Sequence, residues 1–160
     1  RSIDYLEFGR CSRILNSSRF DKSIKVLSSR NEKTGLSTRA QLADALADSK
    51  ITLALTRLDN QPELAEGIDT LTQRYWECML SGVVILGRAP KELMDIIGYD
   101  PVVHLDKEHA NEQILDILAH IEDYQELVDR NRKSALEKGD WKLRIRQMME
   151  VLAGLGYECK

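Results

Sequence analysis

The chain has 160 residues, 23 Lys and Arg against 26 Asp and Glu, a formal charge of −3, and a composition 42% apolar and 6% aromatic. That length suits one domain, roughly 100–200 residues, large enough to fold without disulfide or metal staples. The same figures exclude collagen-like, disulfide-rich and disordered classes, and a net negative chain argues against nucleic acid as a partner.

The first elements alternate. Ile3-Asp4-Tyr5-Leu6-Glu7-Phe8 reads as a strand that stops at Gly9, and Ile24 to Leu27 as a second. Thr38-x-x-Gln41 predicts a capping box opening a helix with Leu42, Ala45 and Leu46 on one face. Ile51 to Leu55 is a third strand, ending at Thr56-Arg57, and Leu58 to Ile68 reads as a polar loop. A helix is expected over about 71–81, with Thr70-x-x-Gln73 as its box and Gly82 as its stop. Val83 to Leu86 is apolar on both faces, as an interior parallel strand should be. Pro90 suits the first turn of a short helix closed by Gly98, and Pro101 to Leu105 is a fifth strand.

The last third reads as helical. Ile114 to Ile121, then Tyr124 to Ala135, then Trp141 to Leu152 carry apolar residues at helical spacing. In the last stretch Ile145, Met148, Met149 and Leu152 are open to two readings: packing on their own sheet, or reaching a partner domain.

Strands separated by helices imply right-handed crossovers and a parallel sheet. The expected fold is therefore α/β: a Rossmann-like three-layer α/β/α domain, a parallel sheet of about five strands and a helical C-terminal third. Ligands of such sheets bind beyond the carboxyl ends of the strands. Arginines stand at four of these five ends, namely Arg10, Arg30, Arg57 and Arg88. Residues 1–50 also hold ten basic against six acidic side chains, either a solvated face or a cluster for an anion.

Cys11, Cys78 and Cys159 lie far apart without a C-x-x-C, which reads as reduced thiols of a cytoplasmic protein. The three histidines lack ligand spacing, so no metal site is expected, and no apolar run approaches the ~18 residues of a transmembrane segment. The first residue is Arg1 and no signal peptide precedes it, so a start within a longer protein is expected.

The stretch from Gly67 to Gly82 carries the chemistry. A helix start after a strand and loop offers unpaired N–H groups and the positive end of the macrodipole. Thr70 and Thr72 add hydroxyls, and Arg74 adds a planar fork suited to phosphate. Glu77, three residues on, shares that face and could accept hydrogen bonds from sugar hydroxyls. The blander reading of Arg74 and Glu77 is a local ion pair, and of Trp76 and Met79, core packing.

The run Arg74-Tyr75-Trp76-Glu77-Cys78-Met79-Leu80-Ser81-Gly82-Val83-Val84-Ile85 resembles the R-x-x-E-x-x-x-x-G segment of GT-B glycosyltransferases, in the group 1 and CgeB-like families. Asp69, eight residues before Glu77, matches the first acid of the family's E-x7-E pair. Ala89 to Leu93, Ile96-Ile97-Gly98, Val103 to Asp106 and Gly139-Asp140-Trp141 follow in the family's order.

The resemblance covers about Ile3 to Leu152. It implies a glycosyltransferase domain that binds a nucleotide-sugar donor as substrate, with no other cofactor. It also implies a missing N-terminal acceptor domain as partner, so that the isolated chain would be half an enzyme. By the same resemblance Glu77 holds the donor ribose, and Asp69, Thr70, Leu71 and Thr72 lie near the pyrophosphate or sugar. Arg74 assists and Arg10 neutralises the leaving diphosphate, which makes Asp69 and Arg10 the expected catalytic residues; Arg57 joins the expected donor-binding set from its place at the end of the third strand. Two positions depart from the pattern. Leu15 stands where many members have Lys, with Arg13 the nearest substitute, and Asp69 is one methylene shorter than Glu.

Two further readings stand beside this one: a sugar-nucleotide epimerase of similar fold, and a non-catalytic Rossmann-like assembly or regulatory module. A receiver domain is disfavoured, because no acidic pair follows the first strand.

Overall fold

The computed structural model describes residues 1–9, 14–15, 17–29 and 36–157. Five strands form one sheet: β1 (Ile3–Glu7), β2 (Val26–Ser28), β3 (Ser49–Ala54), β4 (Val84–Gly87) and β5 (Val103–His104). All neighbours are parallel, in the order β2-β1-β3-β4-β5. From β1 the chain first moves outward to β2, then returns to place β3 on the other side of β1. The direction of winding therefore reverses between β1 and β3, which is where a doubly wound sheet opens a crevice.

The helices are α1 (Arg39–Ala47), α2 (Arg57–Asn60), α3 (Pro62–Ala65), α4 (Gln73–Ser81), α5 (Lys91–Ile97), α6 (Ala110–Ala119), α7 (Gln125–Lys138) and α8 (Trp141–Gly154). Alternation along the strands builds two cores. Ile51, Leu53, Val84 and Leu86 meet Ile114 and Ile117 of α6 on one face. Leu6, Ala54 and Ile85 meet Leu46, Tyr75, Met79 and Leu93 on the other. The expected three-layer Rossmann-like domain is what forms. Met79 lies in the second core, and Trp76 packs against its edge.

Local structure departs from the expectations in four places. The Thr38–Gln41 capping box forms in full. The one expected at Thr70 and Gln73 does not, and α4 starts only at Gln73, with Thr72 in extended conformation before it. Residues 68–72 are non-helical, and Asp69 is drawn into an ion pair described below. The polar stretch after β3 is not one loop. Thr56 caps α2 through its N–H and hydroxyl on the Asp59 carboxylate, and Pro62 starts α3, where a missing N–H is harmless. β5 shrinks to two residues, because Pro101 has no N–H and that of Val102 turns to Asp100 Oδ1 at 3.1 Å. His104, in the expected fifth strand, is exposed and meets Asp100. Finally, α8 buries none of its residues, so the reading that packs it on its own sheet is not what is found.

Gly87 closes β4 with φ +147°, and a Cβ there would lie 1.9 Å from the Ala54 carbonyl oxygen. Only glycine lets β3 and β4 approach this closely.

Candidate functional site

A cleft of about 480 Å³ opens beyond the carboxyl ends of β1 and β3. It lies at the point where the winding reverses. Phe8, Gly9 and Leu55 form its floor. Arg57, Asn60 and Gln61, on and just after α2, form one wall. Thr72, Gln73, Arg74 and Glu77, at the start of α4, form the other.

The α4 wall is suited to an anion. The N–H groups of Gln73 and Arg74 have no intrahelical acceptors, whereas that of Tyr75 already meets the Thr72 carbonyl at 3.3 Å, and the helix dipole is positive there. The Arg74 guanidinium lies over the Phe8 ring, 4.8 Å from its centroid. A Cβ on Gly9 would fall 2.1 Å from Arg74 Nη2, so the left-handed Gly9 (φ +72°) leaves the arginine room to lie there. Among the described residues no ion pair joins Arg74 to Glu77, so the local pair weighed from spacing does not form. Arg57 likewise has no ion-pair partner among the described residues. Both arginines and a carboxylate thus face one cleft, and among the described residues no side-chain hydrogen bond engages them.

The other sequence-predicted residues are distributed less simply. Arg57, Thr72, Arg74 and Glu77 line the cleft together. Thr70 sits in a separate shallow depression beside Arg57, Leu64 and Ile68. Leu71 lines a second groove with Trp76 and Trp141, which shares Thr72, Gln73 and Glu77 with the cleft. Arg10, Arg13 and Arg30 lie outside the described residues, although Arg10 and Arg13 closely follow Gly9 in sequence. Behind Glu77, Cys78 points into the core, and burial pushes its thiol up to about 12.

The pairing that organises this region is not visible in the sequence, where Arg88 is one strand-end arginine among four. Arg88, just after β4, donates from Nη1 and Nη2 to the two carboxylate oxygens of Asp69, both at 2.9 Å. Its Nε donates to Asp59 Oδ1 at 2.8 Å, and Nη2 also to Thr56 Oγ1 at 2.8 Å. The second Nη1 hydrogen faces the Ala89 carbonyl at 3.5 Å. All five guanidinium N–H groups are therefore engaged. The Tyr75 hydroxyl, on α4, donates to the Arg88 carbonyl at 2.6 Å.

The electrostatics follow from these contacts. Hydrogen bonds from Arg88 hold Asp69 below the usual carboxylate range. Burial alone would raise Asp59, but its bonds to Arg88 and Thr56 outweigh that and lower it. Burial raises the Tyr75 phenol, which stays protonated as a donor. The available signal in the sequence was an arginine directly after a strand, with two aspartates, Asp59 and Asp69, in the segment between β3 and α4.

A family model described as glycosyl transferase-like matches residues 10–150. The chain belongs to this glycosyl transferase-like family. No curated protein and no solved structure is matched. The match spans both walls of the cleft and every residue of the Arg88 cluster. Membership of the glycosyl transferase-like family supports transfer of a glycosyl group as the general chemistry. Among the described residues of the glycosyl transferase-like chain, no helix is long and apolar enough to cross a membrane, and no three His, Cys, Asp or Glu are grouped to hold a metal ion.

Proposed function

We propose that this chain is the donor-binding domain of a GT-B glycosyltransferase of the group 1 or CgeB-like kind, and that a nucleotide-diphosphate sugar occupies the cleft. The observation that carries the reading is the convergence of the α4 N-terminus, Arg74, Arg57 and Glu77 on one cleft at the β1/β3 reversal. Glu77 accepts from the ribose hydroxyls. The first N–H groups of α4, the Thr72 hydroxyl and Arg74 meet the diphosphate, with Arg57 facing them from α2. Arg10 and Arg13, next along the chain from Gly9, supply further positive charge to the same diphosphate.

The chemical work of such a cleft is to stabilise the negative charge that grows on the departing nucleoside diphosphate. Fixed cations and N–H dipoles do this without reorganising at the moment of reaction. The acceptor, in this reading, is held by a separate N-terminal domain, so the 160 residues alone bind donor and transfer no sugar. Nothing observed favours the epimerase or the non-catalytic module over this reading.

A thermal-shift panel with UDP, GDP, ADP and their sugars tests it. A nucleotide that binds only the folded chain at about 100 times its Kd stabilises by about 2.7 kcal/mol and raises the midpoint. Glu77→Ala should abolish most of that shift. No shift with any nucleotide, as a non-catalytic module would give, removes the reading.

A further inference from the structure

We propose that Arg88 is a positioning residue which sets the width of the cleft without touching its ligand. This role rests on the reading above, in which a nucleoside diphosphate occupies the cleft.

Arg88 does not line the cleft, yet it ties both walls together. Its Nε holds Asp59 of α2, and Nη2 holds Thr56, the cap of the same helix. Arg57 and Asn60 of that helix form one wall. Its Nη1 and Nη2 grip Asp69, four residues before α4 begins, and its carbonyl receives the Tyr75 hydroxyl from within α4. The second wall is thus fixed from both its approach and its first turn. One guanidinium spans chain segments 29 and 19 residues distant in sequence.

The chemistry of the cluster excludes a direct role. With every N–H engaged, Arg88 has no donor left for a phosphate oxygen unless it releases an aspartate. The charges also fit a fixed brace: two depressed carboxylates face one cation, and Thr56 Oγ1 donates to Asp59 while accepting from Arg88. A lysine would keep the charge but not the fork, since an ammonium cannot meet both oxygens of Asp69 and Asp59 in one plane. Residue 88 therefore governs where Arg57 and Arg74 stand relative to one another. Small misplacements of such groups cost binding and rate far more than stability.

The test compares wild type, R88K, D59A and the R88K/D59A double variant. Affinity is measured with whichever of UDP, GDP and ADP wild type binds, and amide hydrogen exchange is followed in the ligand-free proteins. R88K should weaken nucleotide binding about tenfold or more and speed exchange over residues 57–60 and 69–75. Exchange in β1 and β3 should stay as in wild type. D59A, which releases the brace from the opposite wall, should loosen the same segments and serves if R88K fails to fold. The double variant should lose less than the sum of the singles, since both cut one link. Binding by R88K within about twofold of wild type overturns the role, with the donor reading intact. So does faster exchange spread evenly over the sheet, which marks a merely structural residue. If wild type binds none of the three nucleotides, the donor reading fails and the role fails with it. E77A separates the cases further: it should weaken binding with exchange unchanged.

Discussion

Arg74 lies over the Phe8 ring, and its Nη2 fills the space that a side chain on Gly9 would need. The end of β1 and the start of α4 thus share one cation at the mouth of the β1/β3 crevice. Replacing Arg74 with Ala removes a cation–π contact of about 1 kcal/mol. It also removes a phosphate ligand. Titration with the nucleoside diphosphate bound by wild type should show affinity falling tenfold or more, while denaturant melts show a stability loss of no more than about 1 kcal/mol. An unchanged affinity would place the anion elsewhere.

Gly9→Ala reaches the same arginine from the other side. The left-handed backbone costs an alanine roughly 1–2 kcal/mol, and the new methyl expels Arg74 from its seat. The flexible guanidinium can yield, so the fold should survive. Nucleotide affinity should fall nearly as far as in Arg74→Ala, and the double variant should add little, as measured by calorimetry.

Gly87→Ala has no such escape. Its Cβ meets the Ala54 carbonyl oxygen, which is backbone within the β3–β4 pairing. Urea unfolding should show a loss of about 3 kcal/mol or more, at an m-value like that of wild type.

The depressed carboxylates of Asp59 and Asp69 give stability a sign with pH. A carboxylate with a folded pKa below its unfolded value, about 4, stabilises fully above that value. The contribution is lost as pH falls through the folded pKa. Wild type should therefore exceed Arg88→Met in stability most at neutral pH, and the gap should close as pH drops below about 4. Denaturant melts at several pH values measure this. A gap that is constant with pH would show that the two carboxylates do not draw stability from Arg88.

The two threonines that the sequence offers as caps differ in a measurable way. Thr38→Ala breaks a complete capping box and should cost about 1 kcal/mol. Thr70→Ala, outside any helix, should change stability by less than about 0.5 kcal/mol. Thermal melts of the two variants check both.

These caps also show what could be read ahead of the structure. The Thr38 box and the two-sided apolar run at β4 are local signals, and both were legible. So were Arg57, Thr72, Arg74 and Glu77, which strand-end and helix-start rules place together. The Thr70 box looked just as good in sequence but lost to a distant partner: Asp69 pairs with Arg88, 19 residues on, and residues 68–72 stay non-helical. Asp59 was hidden likewise in a stretch read as loop, where its bond to Thr56 makes a helical turn. Arg88 itself stands in the sequence only as one of four strand-end arginines. No spacing rule tells an arginine that binds ligand from one saturated by aspartates, because that depends on which loops the sheet brings side by side.

Cys78 lies one residue after Glu77, sealed in the core with its thiol raised to about 12. It can react with a maleimide only when α4 lifts from the sheet. In a chain whose Cys11 and Cys159 are changed to serine, its labelling rate becomes a clock for the opening of the cleft's own wall. A ligand gripping that wall should slow the clock, and one bound elsewhere on the folded surface, without stabilising α4, should not.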